Sequence, residues 1–257
     1  MYSWFKNIAK KSIENFFNIF GYKIQQIINH VIEEATPEEI ELMKLCDKYS
    51  MTSDLRKWAL IQSFHHVIKN NIEGDFVECG VWKGGNLIML KKLMEKEKIS
   101  NRTIFGYDTF EGMSKASIHD VKIDDTRANV KYEKLKEIDS DQINWNFSSK
   151  DEVLNNFKNN VQKEENLVLI KGKVENTLLI EKNIPKKISI LRLDTDFYES
   201  TKIELEKLYS KLSVGGILII DDYGSWKGSR KAVDDFFVNK NIWLHYIDHD
   251  GRLLIKN

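Results

Sequence analysis

The chain has 257 residues, 42% of them hydrophobic, which allows one large domain or a domain with an appendage. Its 39 basic and 39 acidic side chains cancel, so nothing in the overall charge draws it to nucleic acid. No stretch reaches the ~18 consecutive apolar residues of a membrane span, and the two cysteines, Cys46 and Cys79, form neither a disulfide framework nor a CxxC pair, which suits the cytoplasm.

Residues 1–40 read as an N-terminal helical arm. Phe5, Ile8, Ile13, Phe16, Phe17, Phe20, Ile24, Ile27 and Ile28 recur mostly at three- and four-residue steps, with a break near Gly21 and a basic side made by Lys6, Lys10, Lys11 and Lys23. The segment lacks the continuous apolar run and cleavage site of a signal peptide. Such a stripe packs on its own domain, docks on a partner subunit, or lies on an anionic membrane as a peripheral contact, and amphipathicity alone does not separate the three.

Residues 41–257 alternate. Helical periods at 52–69 and 87–97 bracket the apolar run FVECGV at 76–81, and further strands are expected at 104–108, 167–172, 190–193, 217–220 and near Leu244. That order predicts an α/β fold, a doubly wound and mostly parallel sheet. The stretch 114–162 is charged and Asn-rich, with a helical period only near 153–161, and it is longer than an ordinary connection. It predicts a functional insert or lid.

The first strand runs into GVWKGGN, where Gly80, Gly84 and Gly85 precede the next helix. Glycines there let the backbone turn and approach a ligand, but the pattern is neither GxGxxG nor a P-loop, so a pyrophosphate cradle is not supported. The second strand ends in FGYDTFEGM. Asp108 stands where doubly wound folds place the carboxylate that binds ribose hydroxyls, Phe110 is positioned to stack near a base, and Glu78 to meet a ligand ammonium or amide. Asp108 and Phe110 also suit a turn and a core residue. A nucleoside-bearing cofactor without a pyrophosphate fits both strand ends, and S-adenosylmethionine is one.

Two later runs end in paired carboxylates: LRLDTDFYEST at 191–201 and GGILIIDDYG at 215–224. If the runs are parallel neighbours, their carboxyl ends open on the ligand-binding edge of the sheet, and Asp194, Asp196, Asp221 and Asp222 converge there. Like charges so close raise one another's pKa unless a cation sits among them, and a hard divalent cation such as Mg²⁺ takes such oxygens. A single pair would suit a turn or helix cap equally well. Two pairs at two strand ends favour the metal.

Taken together, DFVECGVWKGG, YDTFEGM, KGKVENTL and the long motif from Leu191 to Phe237 resemble the macrocin O-methyltransferase (TylF/MycF) family over 52–247. The resemblance implies a class I, Rossmann-like methyltransferase fold, S-adenosylmethionine as methyl donor, Mg²⁺ or another divalent cation, and a hydroxylated small-molecule or glycan acceptor, most directly a sugar. Residue by residue it implies cofactor contacts from Glu78, Gly80, Gly84, Gly85 and Asp108, with Thr109 and Phe110 beside them and Lys173, Val174 and Glu175 near the adenine. Asp194, Asp221 and Asp222 match the metal triad, and Asp196 the general base. Family relatives tend to be homo-oligomers. His249 and Asp250, in the terminal IDHDGRLLIKN, depart from the family pattern, and the insert matches nothing recognisable. Other readings are methylation of a phenolic or catechol hydroxyl, a histidine base (His65, His66, His245 or His249), or a partner-binding protein that kept the fold without catalysis.

Overall fold

The computed structural model describes residues 32–124, 142–143 and 146–257. The chain divides into two compact units, Met1–Glu34 and Ala35–Asn257. Most of the expected N-terminal arm and the middle of the insert lie outside the described residues, and every described helix and strand belongs to the larger unit. Among the described residues no helix is long and apolar enough to cross a membrane.

The unit opens with helix α1 (Pro37–Cys46), whose start is set by a capping box between Thr36 and Glu39 and by Pro37 in its first turn. Helix α2 (Asp54–Lys69) begins where the Ser53 hydroxyl accepts the Arg56 amide. Then come β1 (Asp75–Cys79), α3 (Gly85–Lys96), β2 (Ile104–Asp108), the short β3 (Met113–Ser114) and β4 (Gln142–Ile143), α4 (Lys150–Asn160), β5 (Leu167–Lys171), the single turn α5 (Val174–Thr177), β6 (Ile188–Leu193), α6 (Tyr198–Leu208), β7 (Leu212–Ile220), α7 (Lys227–Phe237), β8 (His245–Tyr246) and β9 (Arg252–Ile255).

The seven-stranded sheet has the order β5-β2-β1-β6-β7-β9-β8. Every pairing from β5 through β7 is parallel, and β9 runs antiparallel to both neighbours. The chain steps outward from β1 through β2 to β5 and then returns to place β6 on the other side of β1. That reversal opens a crevice at the carboxyl ends of β1 and β6, the place where doubly wound sheets bind ligands. β6 is buried at every position, so its apolar side chains pack on both faces and each contributes ~1.5–3 kcal/mol.

The expected elements are present, with strands β6 and β7 longer at their amino ends than their apolar runs. Helix α4 lies inside the stretch expected to be an insert, yet it is the crossover from β2 to β5, anchored by Lys150 on the Leu169 carbonyl and Asn156 on the Lys83 carbonyl. Residues 113–124 are strapped across the loops after β6 and β7. The Ile123 amide donates to the Ser225 carbonyl at 2.9 Å and the Lys227 amide to the Val121 carbonyl at 2.8 Å, while Met113 and Ala116 pack on Phe197 and Trp226. β9 had no sequence signal of its own, being a short run near the chain's end.

Candidate active site

The crevice is a cavity of about 240 Å³ at the carboxyl ends of β1, β2, β6 and β7. Asp194 follows β6 directly, and Asp221 and Asp222 follow β7. Because these strands are parallel neighbours in register, with Leu193 opposite Ile220, the residues after them meet. Asp194, Asp221 and Asp222 each offer one oxygen, and those oxygens lie within 4.8 Å of one another. All three line the cavity, as does Asp196.

Arg192 and Arg56 hold these carboxylates. Arg192, on β6 and 2% exposed, donates to Glu78 Oε1 at 2.6 Å, Asp194 Oδ2 at 2.8 Å, Asp221 Oδ1 at 2.5 Å and Thr52 Oγ1 at 2.8 Å. Arg56, from α2, donates to Asp221 Oδ2. The acids still outnumber these cations, and burial raises the pKa of Asp196, Asp221 and Asp222. Burial raises Asp221 to about 6, against the pull of Arg192. Burial, then the Asp196 charge, puts Asp222 well above the ordinary carboxylate range. Asp196 is pushed up to about 7 by burial and by the charge of Asp194. An oxygen set of this kind fits a hard divalent cation, whose charge would offset the crowding of these acids.

Asp196 sits on a left-handed backbone, φ 64°, with its amide donating to Asp222 Oδ2 at 3.0 Å. A non-glycine residue there is uncommon, and aspartate is among the few that tolerate it. The turn aims the loop after β6 back at the loop after β7.

Beside Asp194, Gly80 has φ 85°, and a Cβ on it would stand 1.8 Å from the Asp194 carbonyl oxygen. Only glycine lets the ends of β1 and β6 come this close. Gly84 and Gly85 do not line the cavity. Gly84 is the left-handed N-cap of α3, and Gly85 leaves room for the backbone of Tyr49. Asp108 lines the cavity, but its carboxylate already accepts the amides of Val81 (2.8 Å), Trp82 (3.0 Å) and Phe110 (2.8 Å), which leaves little capacity for a ribose hydroxyl beyond one lone pair. Phe110, expected to stack on a base, is buried at 2% and does not line the cavity. Thr109, Lys173, Val174 and Glu175 line it.

Glu78 is also buried at 2% and does not line the cavity. Its Oε1 accepts from Arg192 and from Asn86 Nδ2 at 2.8 Å, while Glu78 Oε2 and Asn86 Oδ1 have no hydrogen-bond partner. Burial pushes Glu78 up to about 7. Two orphaned acceptors side by side, with Asn86 on the cavity wall, ask for a donor.

None of the four histidines considered as bases lines the cavity. His65 bonds Glu39, His66 bonds the Gly215 carbonyl, His245 is exposed on the edge strand, and His249 pairs with Asp250 on the surface. The residues that sequence reasoning missed are Arg192, Arg56, Asn86 and Trp82. Arg192 had a readable signal, a lone charge inside the run ILRL. Arg56 had none.

A model of the macrocin-O-methyltransferase (TylF) family matches residues 44–253. Among curated proteins, the chain is 34% identical over 193 residues to demethyldecarbamoylnovobiocin O-methyltransferase of Streptomyces niveus, covering 74% of this chain and 69% of the relative. It is 23% identical over 233 residues to mycinamicin III 3''-O-methyltransferase of Micromonospora griseorubida, covering 90% and 86%. Among solved structures, the O-methyltransferase NovP superposes with a TM-score of 0.68 at 30% identity, covering 81% of this chain and 82% of that one. Calicheamicin methyltransferase CalS11, at 19% identity and a TM-score of 0.55, shares the fold. With the carboxylate cluster and the doubly wound sheet in place, the chain belongs to the macrocin-O-methyltransferase (TylF) family and is an S-adenosylmethionine-dependent O-methyltransferase with a class I fold.

Proposed function

We propose that the enzyme methylates a sugar hydroxyl of a natural product or glycan with the help of Mg²⁺ or a similar divalent cation. The observation that carries this reading is the convergence of one oxygen each from Asp194, Asp221 and Asp222 within 4.8 Å, with Asp196 lining the same cavity. The sugar is supported by the name of one relative, a tetracenomycin 4'-O-methyltransferase of Streptomyces olivaceus, 29% identical over 171 residues, whose named substrate carries a dimethoxy-rhamnosyl group.

Asp194, Asp221 and Asp222 would hold the cation, which when bound lowers the pKa of the acceptor hydroxyl and fixes its orientation. Asp196 would take the hydroxyl proton as the oxygen attacks the sulfonium methyl; its raised pKa makes it a better proton acceptor than an ordinary aspartate. Gly80 lets the cofactor approach the β1 end, and the ammonium of its methionyl group would supply the donor that Asn86 Oδ1 lacks. Lys173, Val174 and Glu175 would flank the adenine. The strap at 113–124 would shape the acceptor end, and the N-terminal arm is our candidate for holding copies of the chain together. The free thiols of Cys46 and Cys79, both buried, fit a cytoplasmic home.

Replacing Asp221 by Ala is expected to abolish methyl transfer and Mg²⁺ binding while leaving S-adenosylmethionine affinity nearly unchanged, read by isothermal titration of each ligand. Full transfer by the variant without metal would overturn the proposal.

A further inference from the structure

Arg56 stands between two sets of carboxylates. Its Nη1 donates to Asp221 Oδ2, its Nε to Asp248 Oδ2 at 3.0 Å, and its Nη2 reaches Asp250 Oδ2 at 3.4 Å. The other Asp221 oxygen accepts from Arg192 at 2.5 Å, so both oxygens of this acid are committed to guanidinium groups. A cation held by Asp194, Asp221 and Asp222 needs one of them.

The two arginines differ in what they lose by yielding. Arg192 is pinned in the protein interior on Glu78, Asp194 and Thr52 as well, and moving it would leave buried charge unpaired. Arg56 lines the cavity and keeps two acidic partners when it leaves Asp221. Those partners come from the turn between β8 and β9, which is built around the arginine. Asp248 Oδ1 accepts the amides of Asp250 (3.0 Å) and Gly251 (2.7 Å), and its Oδ2 takes the Ser53 hydroxyl at 2.5 Å. A Cβ on Gly251 would lie 2.8 Å from Arg56 Cγ and Cδ, so the turn seats the side chain's stem. The Gly224 amide, two residues beyond Asp222, donates to the Asp250 carbonyl at 2.8 Å and ties this turn to the metal-triad loop.

We propose that Arg56 is the resident counter-cation of the acidic site: it occupies Asp221 Oδ2, yields that oxygen to the incoming divalent cation, and then carries its charge on Asp248 and Asp250. The proposal rests on the metal reading above. Arg56 is then a competitor for the metal, and Asp248 and Asp250 set how easily it is displaced. Asp250 tunes metal affinity through Arg56.

The test is Mn²⁺ binding to the purified full-length protein without cofactor or acceptor, followed by the electron paramagnetic resonance signal of free Mn²⁺. Arg56→Gln is expected to tighten binding by on the order of tenfold, the scale for removing a screened charge at contact distance. Asp250→Asn is expected to weaken it severalfold, and Arg56→Lys to fall between wild type and Arg56→Gln. In the double variant the Asp250→Asn effect should vanish, because it acts through Arg56. Unchanged or weaker binding by Arg56→Gln overturns the proposal; if that variant does not fold, Arg56→Lys and Asp250→Asn carry the same test. An Asp250→Asn effect of equal size with and without Arg56 also overturns it, by showing a long-range field alone. Wild type that binds no Mn²⁺ removes the metal reading and the proposal together, whereas wild-type binding lost in Asp222→Asn but indifferent to Arg56 removes the proposal only.

Discussion

Glu204 shows how a single residue away from the cavity shapes this site. Its carboxyl is fully buried beneath the Asp194–Asp196 turn, where it accepts the Thr195 hydroxyl at 3.0 Å. Burial holds its pKa well above the ordinary carboxylate range. The folded protein therefore keeps a proton that the unfolded chain releases once the pH passes about 4.5, so this residue's contribution to stability falls as pH rises, by up to about 1.4 kcal/mol per pH unit. Glu204→Gln, which keeps shape and the Thr195 contact without ionising, is expected to be more stable than wild type at alkaline pH and to lose that advantage in acid. Parallel melting curves across pH check this, and a constant difference would show that Glu204 is ionised in the fold. The sequence announced none of it: Glu204 lies in ESTKIELEKL, whose pattern reads as an ordinary helix with charged faces. Asp194, Asp221 and Asp222 were legible because an apolar run that stops at a carboxylate is a local event.

Strand β6 and the loop after it were readable as elements, since a short apolar run closed by charge predicts both a buried strand and an exposed functional end. The strap at 113–124 was readable only as a long connection. Its fixing point is Asp120, buried at 2%, whose Oδ1 accepts the amide of Tyr198 at 2.8 Å in the first turn of α6. Asp120→Ala removes a cap worth roughly 1 kcal/mol. It should also loosen the strap over Phe197 and Trp226, beside the cavity wall formed by Met113 and Ser114. The expected outcome is a raised acceptor KM with S-adenosylmethionine affinity unchanged. Equal loss of both would place the strap's effect in the sheet rather than at the acceptor end.

At the scale of the whole molecule, the larger unit, Ala35–Asn257, contains the complete sheet and every described residue of the site. A chain shortened to begin at Ala35 is expected to keep S-adenosylmethionine binding, and light scattering on both forms reads the arm's part in assembly; equal numbers of subunits would exclude it. The alternation of strand and helix, the acidic strand ends and the long motif from Leu191 determined, by themselves, the α/β class, the family and the carboxylates that meet. Tertiary structure alone decided that Glu78 and Phe110 are buried, that Asp108 accepts two amides of the glycine loop, and that Arg56 reaches Asp221 across 165 positions of sequence. The reason is range. Periodicity and strand-end charge are set by neighbours along the chain, while the partner of a buried polar atom is whichever group the packed sheet and helices bring within hydrogen-bond distance of it.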